Sequence, residues 1–197
     1  MACINKNLYQ SQEWCKGQPI IPGIRTRIYF CPKGDIVKYP ARKSGAATAK
    51  EDVTYDGDFT LAAEKTWKFM DVISKKSPVT SESQGEQPNI STLVKATFVH
   101  PGFEEEATAF CKQANSDDLI YLIQQRNGKW RVIGSEEFET VTKCSQSIGG
   151  DVTDEAGTTV EIEVTDYSPA PFYTGKILTE EGTIDAGTGD VTVDPKE

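Results

Sequence analysis

The sequence predicts a mainly β fold: a β-sandwich or β-barrel with one flanking α-helix, a long projecting loop and extended termini. Three observations carry that expectation. Period-two alternation recurs along the chain, clearest in Ser91–His100 and in residues 158–165. Asn127-Gly128 separates two apolar runs, a short-range hairpin signal. A helical apolar stripe is clear only at Phe103, Ala107, Phe110, Cys111 and Ala114, and a lone amphipathic helix must lie on a sheet to bury that face.

In chain order, residues 1–22 read as an arm broken by Lys16-Gly17-Gln18-Pro19 and Pro22-Gly23. Residues 24–30 alternate as a strand, with Ile24, Thr26, Ile28 and Phe30 on one side and Arg25, Arg27 and Tyr29 on the other. Pro32 to Asp35 turns the chain into a second short strand at 36–39. Residues 40–58 are small and charged, with Gly45 and Gly57 as breakers. A loop of this length in a compact domain is usually functional or mobile, and an extended hairpin is the alternative. Residues 59–73 fit both a strand and a helix; Thr60, Thr66, Trp67, Phe69, Val72 and Ile73 favour strands. Residues 74–89 are polar, contain Pro78 and Pro88, and read as a loop.

The helix follows Pro101-Gly102. Glu104, Glu105 and Glu106 occupy its first turn, where the helix dipole favours carboxylates, and Asn115 suits its end. Residues 119–125 and 130–134 form the hairpin arms, 137–145 another strand, and 158–165 the next. These elements make one β domain over 23–175. Residues 176–197, rich in Gly, Thr and Asp, read as a C-terminal arm or a small hairpin.

Charge is unevenly distributed. The chain has a net charge of −9. Residues 1–150 hold 19 Lys/Arg against 18 Asp/Glu, and residues 151–197 hold 2 against 12. Such asymmetry points to a special surface, and it argues against the phosphate-neutralising DNA binding that needs clustered cations. On the 158–165 strand, Val160, Ile162 and Val164 alternate with Thr159, Glu161 and Glu163, so one face is apolar and the other acidic.

Catalytic and metal-binding patterns are lacking. The sequence holds no nucleophile elbow, phosphate-binding loop or zinc-protease motif. The single histidine, His100, sits in a strand-to-helix corner and reads as a packing or surface residue. Five cysteines include no Cys-x-x-Cys pair, so idle thiols are expected rather than disulfides or zinc. Asp151, Asp154 and Gly157 do not match a calcium loop. Neither a secretory leader nor an apolar run of membrane-spanning length is evident in the sequence. The expectation is therefore a non-enzyme without cofactor or metal and without membrane contact.

The order of parts resembles a known family. An N-terminal arm precedes a Gly-Ile-x-x-x-Ile-Tyr strand, and a long polar insertion follows the first hairpin. One helix lies mid-chain, the Asn-Gly hairpin comes after it, and the ending is DEAGTTVEIEVTDYSPAPFYTG. Across about residues 20–175 this is similar to the tail tube proteins of long-tailed phages, especially those of gut Bacteroidetes. Ring proteins of type VI secretion tubes and of phage necks or tail-completion complexes are related. The resemblance implies subunits joined edge to edge into a ring, often a hexamer, with rings stacked into a virion tail tube after synthesis in the host cytoplasm. Its implied partners are copies of itself, other tail proteins and genomic DNA passing without sequence-specific binding. Glu161 and Glu163 become candidates for the lumen. Arg42, Lys43, Ser44, Ala47, Lys50 and Tyr55, on the long loop, become candidates for contact with the adjacent ring. A monomeric β-sandwich binding module, using its long loops to hold a ligand, is the alternative of a different class.

Overall fold

The structure, a computed structural model, describes residues 9–42, 48–151 and 154–193. Along the chain the elements are β1 (Ile24–Pro32), β2 (Ile36–Lys38), β3 (Ala41–Arg42), a one-turn α1 (Ala49–Asp52), β4 (Thr54–Asp56), β5 (Thr60–Leu61), β6 (Lys68–Asp71) and β7 (Val79–Gln84). Then come β8 (Ser91–His100), α2 (Glu105–Ala114), β9 (Leu119–Gln125), β10 (Trp130–Ile133), β11 (Thr140–Ser147) and β12 (Gly157–Asp166). The chain ends with β13 (Phe172–Tyr173), β14 (Lys176–Thr179), β15 (Gly182–Asp185) and β16 (Val191–Thr192).

Two open sheets form a sandwich, not a closed barrel. One has seven strands in the order β3-β4-β13-β10-β9-β1-β6, the other four in the order β11-β12-β8-β7. Their facing sides build the first core. Ile28, Tyr121 and Ile123 come from the larger sheet, Val94, Phe98, Val160 and Ile162 from the smaller, and Ala114 from the helix.

The larger sheet is also covered on its other side. Tyr29, Cys31, Ile120, Leu122, Trp130 and Val132 point there and meet Phe59, Trp67, Tyr173 and Ile177 in a second, aromatic-rich core. This explains the continuous apolar run of β9. Leu119, Tyr121 and Ile123 serve one core, Ile120 and Leu122 the other, as in strands buried on both faces. Tyr29, expected on the polar side of β1, is buried for the same reason.

The helix packs with the expected stripe. Ala107, Cys111 and Ala114 are buried, and Phe110 lies edge-on against Phe30 with centroids 4.9 Å apart. Phe110 itself is only half-buried. Phe110→Ala is therefore expected to cost about 1–2 kcal/mol, below the 3–5 of a fully buried ring, and chemical denaturation would measure it. Asn115 ends the helix in the right-handed conformation, and its Oδ1 accepts the Cys144 backbone N–H at 2.9 Å, tying α2 to β11.

Several expectations are corrected. Residues 74–89 contain a strand: β7 pairs with β8 over its whole length. Its sequence, Val-Thr-Ser-Glu-Ser-Gln, has no apolar face, because an edge strand held by its ladder need not bury one. Residues 59–73, by contrast, hold strands as their residue types favour: β5 and β6, both short, with a turn between them. In the β9–β10 hairpin only Gly128 has positive φ, +91°, while Asn127 Oδ1 accepts the Lys129 N–H; the turn spans Arg126 to Lys129 and is not a two-residue one. Beyond 175, of the two alternatives the small hairpin is found, in the β15–β16 pair, within a three-stranded sheet over residues 176–192 anchored by fully buried Ile177.

Candidate assembly surfaces

The long loop is built as a hairpin on the edge of the larger sheet. Its legs, β3 and β4, pair with each other, and β4 pairs in parallel with β13. Thr48 starts α1, accepting the Glu51 N–H on its hydroxyl. Two of the proposed inter-ring residues are committed inward. Tyr55 is buried in the second core. Arg42 is ion-paired to Asp166 and lies over the Tyr55 and Tyr167 rings at 5.4 and 5.8 Å. The sequence misled because Arg and Tyr in a polar stretch look solvent-facing, while the carboxylate that holds Arg42 lies 124 positions away. Lys50 is exposed. Lys43, Ser44 and Ala47 lie outside the described residues.

Glu161 and Glu163 are exposed on the outer face of the four-stranded sheet, as the alternation predicted. Their setting is not purely acidic. Lys143 on β11 stands opposite Glu161, and Lys95 on β8 stands opposite Glu163. Thr97 and Val141 occupy the other flanks. The outward positions of the four strands thus carry Glu82, Glu161 and Glu163 against Lys95 and Lys143. Register decides this, and a single strand read in sequence cannot reveal it.

The wider charge asymmetry resolves in the same way. Glu155 pairs with Lys76, Asp166 with Arg42, Glu180 with Lys68 and Glu181 with Arg27. The acidic final quarter supplies counter-charges to cations from the first half of the chain.

Like charges directly opposite one another in a ladder are destabilising. The double variant Glu161→Lys, Glu163→Lys sets four ammonium groups side by side. It is expected to lose about 0.5–2 kcal/mol, at roughly 0.2–1 per pair, and less in high salt. Urea melts at two ionic strengths would check it.

Two further surfaces were not legible as sites. Among the described residues no strand lies beyond β7, which leaves it an edge strand of the smaller sheet. The N-terminal arm, residues 9–22, contains neither helix nor strand and is exposed throughout. Trp14 is 65%, Ile20 75% and Ile21 55% exposed. Among the described residues no group of His, Cys, Asp and Glu is arranged to hold a metal ion. No described helix is long and apolar enough to cross a membrane.

Compared with protein-family models, with curated proteins and with solved structures, the chain matches none.

Proposed function

We propose that this chain is a structural subunit that self-assembles into closed rings, stacked as a phage tail tube or as its neck or completion ring. The observation that carries the reading is the arm: three large apolar side chains, Trp14, Ile20 and Ile21, are more than half exposed on a stretch, residues 9–22, in which every residue is exposed. Apolar surface of that kind becomes favourable when a neighbour covers it. The β7 edge adds a second joint, since an edge strand invites pairing with another chain. Head-to-tail contacts that close give rings.

In this reading Glu161 and Glu163 face the bore. With Lys95 and Lys143 opposite them the surface is close to neutral, so it neither gathers phosphates nor strongly repels them, and DNA slides. The exposed Lys50 faces the adjacent ring. The virion tail is the place of action, and the partners are other copies and other tail proteins. No catalytic step and no cofactor enter.

A second reading, a monomeric module binding an anionic ligand, is favoured by one cleft of about 630 Å³. Arg25, Lys50 and Lys129 line it beside Trp130 and Phe172, with no carboxylate in its lining. Light scattering and negative-stain images of the purified chain separate the two. Rings or tubes of constant bore are expected. A monomer at every concentration overturns the assembly reading and leaves the binding module.

A further inference from the structure

The sandwich is not filled along its β7 side. A cleft of about 420 Å³ opens there between the two sheets. Ile24 and Ile123 of the larger sheet form one wall, Val79 and Ser81 of β7 the other, and Ala170 and Arg131 close the end. Ser81 pairs with Val94, which belongs to the first core, so it stands on the inward side of β7 where a large apolar residue would have closed the gap.

Arg131 has no ion-pair partner among the described carboxylates. Its Nη1 donates to the carbonyls of Pro169 and Ala170 at 3.1 and 2.9 Å, and its guanidinium lies 4.1 Å from the Phe172 ring centroid. Its Nε is buried with no acceptor. Burial lowers its pKa and no neighbouring charge offsets that cost. A half-buried cation in this state favours an incoming carboxylate.

The arm leaves the body at the lip of the same cleft. Gly23 lines it, with φ +94° and the Arg126 guanidinium packed against it. Within the arm Glu13 is the only acid, and it adjoins Trp14, the largest exposed apolar side chain there. The stretch from Trp14 to Gly23 reaches about 30 Å when extended, roughly the width of a small domain.

We propose that the cleft between the sheets receives the Glu13-Trp14 stretch of a second copy's arm, the indole filling the apolar part and the carboxylate meeting Arg131. The chemistry of the site, a slot of Ile24, Val79 and Ile123 mixed with Ser77, Ser81 and Gln125 and ending in a guanidinium without a carboxylate partner, suits that dipeptide. The inference rests on the assembly reading in that it needs a second copy. It makes the contact heterologous, arm of one subunit into cleft of the next.

Two measurements on the full chain test it. Cys15 follows Trp14 and is exposed. In a Cys3→Ser background, Ser81→Cys supplies a partner thiol in the cleft wall, and mild oxidation is read on non-reducing gels. The buried Cys31 and half-buried Cys144 thiols, both pushed up to about 12 by burial, stay out of the exchange. Separately, Trp67 and Trp130 are buried, so acrylamide quenching of the remaining tryptophan reports on Trp14. A ladder of interchain links is expected, with Trp14 losing its quenching on assembly, and both effects disappearing in Glu13→Lys. A link within one chain overturns the second-copy docking. Protection of Trp14 without the link overturns the choice of cleft. Assembled particles in which Trp14 stays quenchable overturn the docking and leave the ring reading intact. Monomers without the link overturn both.

Discussion

Trp67→Ala is expected to destabilise the subunit by about 3–5 kcal/mol. Trp67 is 1% exposed, and its ring meets Phe59 edge-on with centroids 5.3 Å apart. Its backbone N–H donates to the Leu178 carbonyl at 2.8 Å, and it bridges to Thr179. Truncation therefore empties a large volume in the second core and loosens the three-stranded sheet that covers it. A loss of this size is a large share of the roughly 5–15 kcal/mol that holds a domain together. Urea denaturation measures the total. Hydrogen exchange over residues 176–185 reads the local part, where protection is expected to fall most. A loss under about 1 kcal/mol would mean that the second core contributes little to the cooperative unit.

Arg42→Ala is expected to cost a similar amount, about 3–5 kcal/mol, through a different cause. Asp166 is 1% exposed, at the end of the central strand of the smaller sheet. Its carboxylate is ion-paired to Arg42 and also accepts the Tyr167 N–H. Removing the guanidinium leaves a buried carboxylate with no counter-ion. The reverse change, Asp166→Asn, is expected to be milder, because the Arg42 side chain is 26% exposed and turns to water. The asymmetry is the test: equal losses from the two variants would show that the pair is held mainly by packing of Arg42 on Tyr55 and Tyr167. A double-mutant cycle measures the coupling.

Much of the fold was legible because its main strands alternate. Ser91–His100 and the strand carrying Glu161 and Glu163 fall where period two put them, and the helical stripe from Ala107 to Ala114 is buried. What escaped is what depends on partners far along the chain. The Val-Thr-Ser-Glu-Ser-Gln strand has no apolar signal, since its place is set by the ladder with β8. The second core escaped because Tyr29, Tyr55 and Tyr173 sit in segments whose polar neighbours suggest a surface. Among the candidate residues, exposure of Glu161 and Glu163 was readable, while the lysines opposite them were not.

The order of strands in the two sheets also bears on synthesis. β12 lies between β8 and β11, and β13 joins β4 to β10. A nascent chain that has not yet released residues 157–173 from the ribosome can complete neither sheet, and Arg42, Lys68 and Lys76 still await Asp166, Glu180 and Glu155. The last quarter of the chain thus acts as a completion signal. Neither sheet is complete before residues 157–173 are in place, so the two sheets close together rather than one after the other.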